Sequence, residues 1–128
     1  MQDITVGLVQ MQALVGQLDK NLAKIEAYAA QGAAQHVDIL CFPELSITGY
    51  DIHQSACYAQ KIGEACTERL LEIACRYQLT LLAGMAEAAP VGKPYITFLL
   101  AQPNGQLESY RKTHLGTYEK LCFQPGEA

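Results

Sequence analysis

The first patterned stretch is Ile4-Thr5-Val6-Gly7-Leu8-Val9-Gln10-Met11, β-branched and apolar enough to predict a buried strand. Leu18, Leu22, Ile25 and Ala29 then recur at helical spacing, with Asp19 placed as the N-cap and Gly32 inside the helix or at its end. Val37 to Phe42 predicts a second strand. Strand, helix, strand in that order is the signature of parallel pairing. Residues 43–62 read as loop with a short helix. From Glu64 to Tyr77 a second amphipathic helix follows, with Cys66, Leu70, Ile73 and Tyr77 on one face. Leu79 to Ala86 predicts a third strand and Pro94 to Gln102 a fourth. Pro103-Asn104-Gly105 is a strong turn signal leading into Gln106 to Lys112, so the last two strands form a hairpin. Beyond Thr113 the pattern is that of a loop. The order βαβαβββ predicts an α/β or mixed α+β fold, one domain with helices on one face of a sheet.

Composition narrows the partners. Half of the 128 residues are apolar and 17% are charged, the balance of a chain with a core. A net charge of -4, with no arginine- and lysine-rich run, argues against nucleic acid or an anionic membrane. No stretch approaches the roughly 20 apolar residues of a membrane span. Met1-Gln2-Asp3-Ile4 lacks the start of a secretion signal, so a cytoplasmic location is expected. The five cysteines, an odd number without a C-x-x-C pair, fit that expectation. Cys66 and Cys75 fall half a turn out of phase on a helix, so they face opposite ways and read as thiols rather than metal ligands.

Three charged residues fall at strand ends, where ligand sites of α/β sheets gather. Glu44 directly follows Pro43, Lys112 ends the last strand, and Glu119 lies in the loop beyond. A carboxylate beside a lysine supplies a base and an ammonium that stabilises an oxyanion. Such residues are also commonly just solvated or paired, and spacing alone leaves both readings open. His114 titrates nearest neutral pH and is read as structural, bonding loop backbone. Ser46 and Thr48 read as satisfying turn backbone. Tyr50 either lines a pocket or packs, and Asp51 with His53 makes no metal-ligand set.

Longer strings add a resemblance. Residues 41–51, CFPELSITGYD, and 110–115, YRKTHL, resemble the first and second catalytic motifs of the nitrilase superfamily, the carbon-nitrogen hydrolases. Residues 7–25 resemble the N-terminal strand and helix of that family. GMAE (84–87) and the run from Tyr95 to Leu115 resemble its middle strands and hairpin, and EKLCFQPG (119–126) the segment with an additional glutamate. The match is colinear over essentially the whole chain. Tyr95-Ile96 stands where the family often has Tyr-Asn, and Pro90 to Lys93 make a short turn.

The resemblance implies an αββα sandwich of which this chain is the N-terminal half, a single domain over residues 1–128 that stops before the family's nucleophilic cysteine. It implies a Glu-Lys-Cys triad in which Glu44 is the base, Lys112 holds the oxyanion, and Glu119 positions substrate and base, with Tyr50 a candidate pocket residue. The implied substrate is a small amide or carbamoyl compound, amide being favoured over nitrile, with no metal or organic cofactor. None of Cys41, Cys57, Cys66, Cys75 and Cys122 has the nucleophile's context; Cys41 reads as core and Cys122 as packing. The alternative is a catalytically inactive truncated relative serving as a binding or assembly module. A half sandwich is expected to expose apolar surface and an unpaired strand edge, and so to associate as a homo-oligomer.

Overall fold

The computed structural model describes residues 3–127. Its strands are β1 (Val6–Leu8), β2 (Ile39–Cys41), β3 (Thr80–Glu87), β4 (Tyr95–Ala101) and β5 (Leu107–Arg111). They form one five-stranded sheet in chain order. β1, β2 and β3 pair in parallel, while β3, β4 and β5 pair antiparallel. The parallel half follows from its connections: α1 (Leu18–Ala34) joins β1 to β2, and α2 (Ala65–Tyr77) lies between β2 and β3. Short 3-10 turns occupy Ser55–Tyr58 and Glu119–Leu121.

Strand alternation sorts the sheet into two faces. Leu40, Leu81, Ala83, Leu99 and Ala101 point one way and meet Leu22, Ile25 and Ala29 of α1 and Leu70, Ile73 and Ala74 of α2 in one core. Glu26 of α1 pairs with Arg69 and Arg76 of α2 at 2.7 and 2.5 Å and ties the helices together. On the other face, Ala86 and Ile96 are covered by Leu45 and Phe123. The rest of that face is open: Val6, Leu8 and Tyr110 are exposed, and Cys41, Leu82, Phe98 and Leu100 are half-buried. The molecule is thus one helix layer on one sheet, with apolar side chains on the uncovered side. No helix among the described residues is long and apolar enough to cross a membrane.

Several details differ from the sequence reading. The stretch Ile4 to Met11 pairs over only three residues, and Leu8 is 82% exposed, because β1 is the sheet edge and its outer side chains face the open side. Cys41 is likewise not core; its parity in β2 turns it to the same open face. Gln17, not Asp19, is the N-cap of α1, and Asp19 sits in the first turn, where a carboxylate still complements the helix dipole. Gly32 lies within α1 and Glu64 caps α2. Cys66 is buried at the head of α2, and burial pushes its thiol up to about 11.

The key local feature is the chain after β2. β2 stops pairing near Leu82, where Phe42 N–H donates to the Leu82 carbonyl. The remaining edge of β3 needs partners. Ser46 Oγ accepts from Gly84 N–H at 3.2 Å and Thr48 Oγ1 from Ala86 N–H at 3.0 Å, while Ile47 N–H donates to the Gly84 carbonyl. Ser46 thus serves the strand rather than its turn, while Thr48 serves both, its hydroxyl also donating to the Gly49 carbonyl at 3.5 Å. Buried Asn21 of α1 donates to the carbonyls of Ile47 and Leu14 and accepts from Leu14 N–H. Residues 44–48 are held from two sides. They lie so close to β3 that a Cβ on Gly84 would fall 2.5 Å from Leu45 N. Gly84→Ala is expected to lower unfolding free energy by about 1–3 kcal/mol, the usual cost of overpacking, read as a shift of the urea midpoint with unchanged slope.

Candidate functional site

Pro43 ends β2, and the chain turns so that Glu44 points out while Leu45 is driven inward. Leu45 adopts a left-handed φ of 56°, uncommon for a branched side chain. It is kept there by complete burial against Ala86, Ile96 and Phe123. Ile96, the departure from the family's usual Tyr-Asn, is thus part of the packing that fixes the turn. From the far side of the sheet, Lys112 N–H donates to the Ile96 carbonyl, extending the β4–β5 ladder by one residue. Alternation then sends the Lys112 side chain to the same open face as Glu44.

The two meet. Lys112 Nζ lies 2.9 Å from Glu44 Oε1 and 2.9 Å from Glu119 Oε1. Glu119 begins the 3-10 turn and is itself anchored, since its Oε2 accepts from Gly116 N–H at 2.6 Å. Side-chain exposures of 37%, 32% and 13% for Glu44, Lys112 and Glu119 describe a rim open to solvent at Glu44 and closing towards Glu119. Burial pulls the Lys112 ammonium down, but hydrogen bonds to Glu119 and Glu44 and their charges outweigh it, and the net direction is up. Burial pushes Glu119 up, but the Lys112 and Gly116 hydrogen bonds win and hold it below the usual carboxylate range. Tyr50 is 46% exposed; partial burial raises its phenol, and the charge of Glu119 adds to that.

Of the sequence candidates, Glu44, Lys112 and Glu119 are therefore brought together, while Tyr50 makes no hydrogen bond to them among the described residues. His114 is not drawn in; it is exposed and its Nδ1 lies 2.9 Å from Thr113 Oγ1, a side-chain partner rather than the loop backbone expected. Cys122 is half-buried beside the Leu45 cluster, with its thiol donating to the Glu119 carbonyl at 3.6 Å. Burial pushes that thiol up. The sequence reading missed the supports. Asn21 and the Gly84 contact act on the Glu44 turn, and Arg111 beside Lys112 is held by Glu87. A polar residue at an apolar-spaced helix position was the available signal for Asn21.

This arrangement places an ammonium between two carboxylates at the ends of β2 and β5. The sequence profile of the family described as "Carbon-nitrogen hydrolase" matches residues 5–128. The chain belongs to the carbon-nitrogen hydrolase family. Among curated relatives, it is 32% identical over 128 residues to a nitrilase of Pyrococcus abyssi, covering 97% of this chain and 48% of that protein. It is 29% identical to omega-amidase NIT2 of Homo sapiens, with 97% of this chain and 46% of that one covered. Among solved structures, an amidase from Nesterenkonia sp. superimposes with a TM-score of 0.82 at 31% identity, over 98% of this chain and 49% of that chain. The carbon-nitrogen hydrolase chain described here spans about half the length of the relatives it matches. Variants of the Nesterenkonia amidase were solved with acrylamide and with butyramide, and one carries the acetamide moiety of fluoroacetamide covalently on its active-site cysteine.

The opposed shifts set a pH window for stability. Glu119, held below 4.5, contributes fully above that value and loses its contribution as pH falls through the folded-state pKa. Lys112, held above 10.5, contributes below that value and loses it as pH rises through its own. Glu119→Gln should therefore cost about 1–2 kcal/mol near neutral pH, discounted for the exposed side of Lys112, and the gap to wild type should close below pH 4.5. Thermal melts of both proteins from pH 3 to 8 on the order of unit steps provide the check.

Proposed function

We propose that this chain carries the base and the oxyanion-holding half of a carbon-nitrogen hydrolase site that acts on a small amide or carbamoyl compound. The observation that supports it best is the shared hydrogen bonding of Lys112 Nζ by Glu44 and Glu119, within a chain of this family. In this reading Glu44 takes the proton of a cysteine thiol supplied by a segment following Ala128. The thiolate attacks the carbonyl carbon, and the ammonium of Lys112 stabilises the oxyanion that forms. Collapse breaks the C–N bond, ammonia leaves with the proton held by Glu44, and a thioester remains. Water, deprotonated by the same carboxylate, then cleaves the thioester and restores the thiol. Glu119 keeps Lys112 charged and oriented throughout, and Tyr50 borders the substrate space. An amide is favoured as substrate, in line with the amidases among the relatives.

Ammonia release from butyramide, acrylamide and a carbamoyl compound tests the reading in the protein carrying this chain together with the following segment. Turnover is expected, and Glu44→Gln or Lys112→Ala should lower kcat by roughly 10²–10⁴-fold. Either variant retaining wild-type turnover would sink it.

A second reading has its own support in the open apolar face, where Leu8, Tyr110 and Val6 are 82%, 62% and 52% exposed. On that reading the 128-residue chain is a non-catalytic assembly module that pairs with another copy, since exposed apolar faces of this kind mark interfaces. Intact mass separates the two cases. If the mass is near 14.0 kDa, sedimentation velocity at micromolar concentration is expected to give species larger than a monomer and no ammonia release. A compact monomer at every concentration would rule out self-association.

A further inference from the structure

One buried carboxylate has no part in the hydrolytic scheme. Glu87, at the end of β3, is 4% exposed. Its Oε1 accepts from Arg111 Nη2 at 2.6 Å, and its Oε2 accepts from Arg111 Nε at 2.9 Å and from Thr97 Oγ1 at 2.6 Å. Arg111 also lies over the Tyr95 ring, 4.3 Å from its centre. Three strands are thereby clamped at one end, β3 through Glu87, β4 through Thr97 and Tyr95, and β5 through Arg111. Arg111 immediately precedes Lys112 and projects to the opposite face of the sheet.

The far end of the clamp is also closed. Gly126 N–H donates to the Lys112 carbonyl at 2.9 Å. A Cβ on Gly126 would fall 2.5 Å from Arg111 Cβ, so the C-terminal segment packs directly against the clamped residue. With Lys112 N–H on the Ile96 carbonyl, both peptide groups of Lys112 are fixed. A four-carbon lysine stem has much rotamer freedom, and its ammonium reaches a fixed point only if its Cα does not move.

We propose that Glu87 is a positioning residue for Lys112, acting across the sheet through the bidentate Arg111 pair to hold the strand end from which the ammonium reaches Glu44 and Glu119. The role of Lys112 in hydrolysis rests on the reading above; its placement by Glu87 does not. An ion pair enclosed on one side and hydrogen-bonded at every oxygen costs much to break on one partner only. A substitution in the clamp is therefore felt at the strand end.

The test reads the ammonium itself, without substrate, by NMR titration of the Lys112 side chain in the 128-residue chain, with Lys112→Met for assignment. Charge alone predicts opposite effects. Neutralising Glu87 would lower the Lys112 pKa, and neutralising Arg111 would raise it. Positioning predicts a fall in both Glu87→Gln and Arg111→Gln, since Lys112 then leaves the carboxylates that hold its ammonium up. Thr97→Val changes no charge and should give a smaller fall in the same direction. Arg111→Gln decides: a fall supports the proposal, and a rise or no change overturns it. If that variant lacks a dispersed amide spectrum, Thr97→Val decides by the same criterion. A clamp that only stabilised the fold would lower the melting temperature and leave the Lys112 titration where it was. Absence of ammonia release would count against the hydrolase reading and leave this result standing.

Discussion

Everything at the site depends on the backbone hydrogen-bonding demand of β3. The strand is eight residues long, but its parallel partner β2 is only three. Beyond Leu82 the β2-side edge of β3 would be bare, and a buried unpaired N–H is costly. Gly84 and Ala86 find hydroxyl oxygens on Ser46 and Thr48, and farther along Gln60 accepts from Ala88 and donates to Ala86. Meeting that demand lays residues 44–48 against the strand. The direction of Glu44 is a by-product of how β3 satisfies its edge.

Electrostatics then act on what the backbone has placed. Two carboxylates share one ammonium at equal distances, so the cluster is net anionic and the cation is more firmly held than either anion. The two anions differ in setting. Glu119 has a backbone N–H as second partner and is mostly covered, whereas Glu44 sits at an exposed turn with 37% of its side chain in solvent.

The elements were legible in the sequence because their signals are local. Helical spacing gave α1 and α2, and Pro-Asn-Gly gave the hairpin. Glu44 and Lys112 were readable as strand-end charges and, more sharply, as parts of motifs. Non-local geometry was not readable. Ile4 to Met11 has the composition of a buried strand, but only the sheet order makes it an edge with Leu8 in solvent. Cys41 has the neighbours of a core residue, and only the parity of its register turns it outward. Ser46 and Thr48 look like turn residues, and Thr48 does bond its own turn; that each also meets a backbone N–H thirty-eight positions on in β3 is a property of the fold. Leu45 gives no hint of a left-handed backbone, since branched residues avoid it and only packing enforces it here.

The spread of the site along the chain fixes the order in which it comes into being. Lys112 and Glu119 are 7 residues apart and close with the hairpin and the short turn after it. Glu44 is 68 residues from Lys112, and joining them requires a parallel crossover to have formed first. Closing the longer loop costs roughly 2 kcal/mol more chain entropy than the shorter one. Contacts of such separation are made late in folding. The Lys112–Glu119 contact is thus local to the C-terminal hairpin and turn, whereas the Lys112–Glu44 contact exists only with the whole sheet in register.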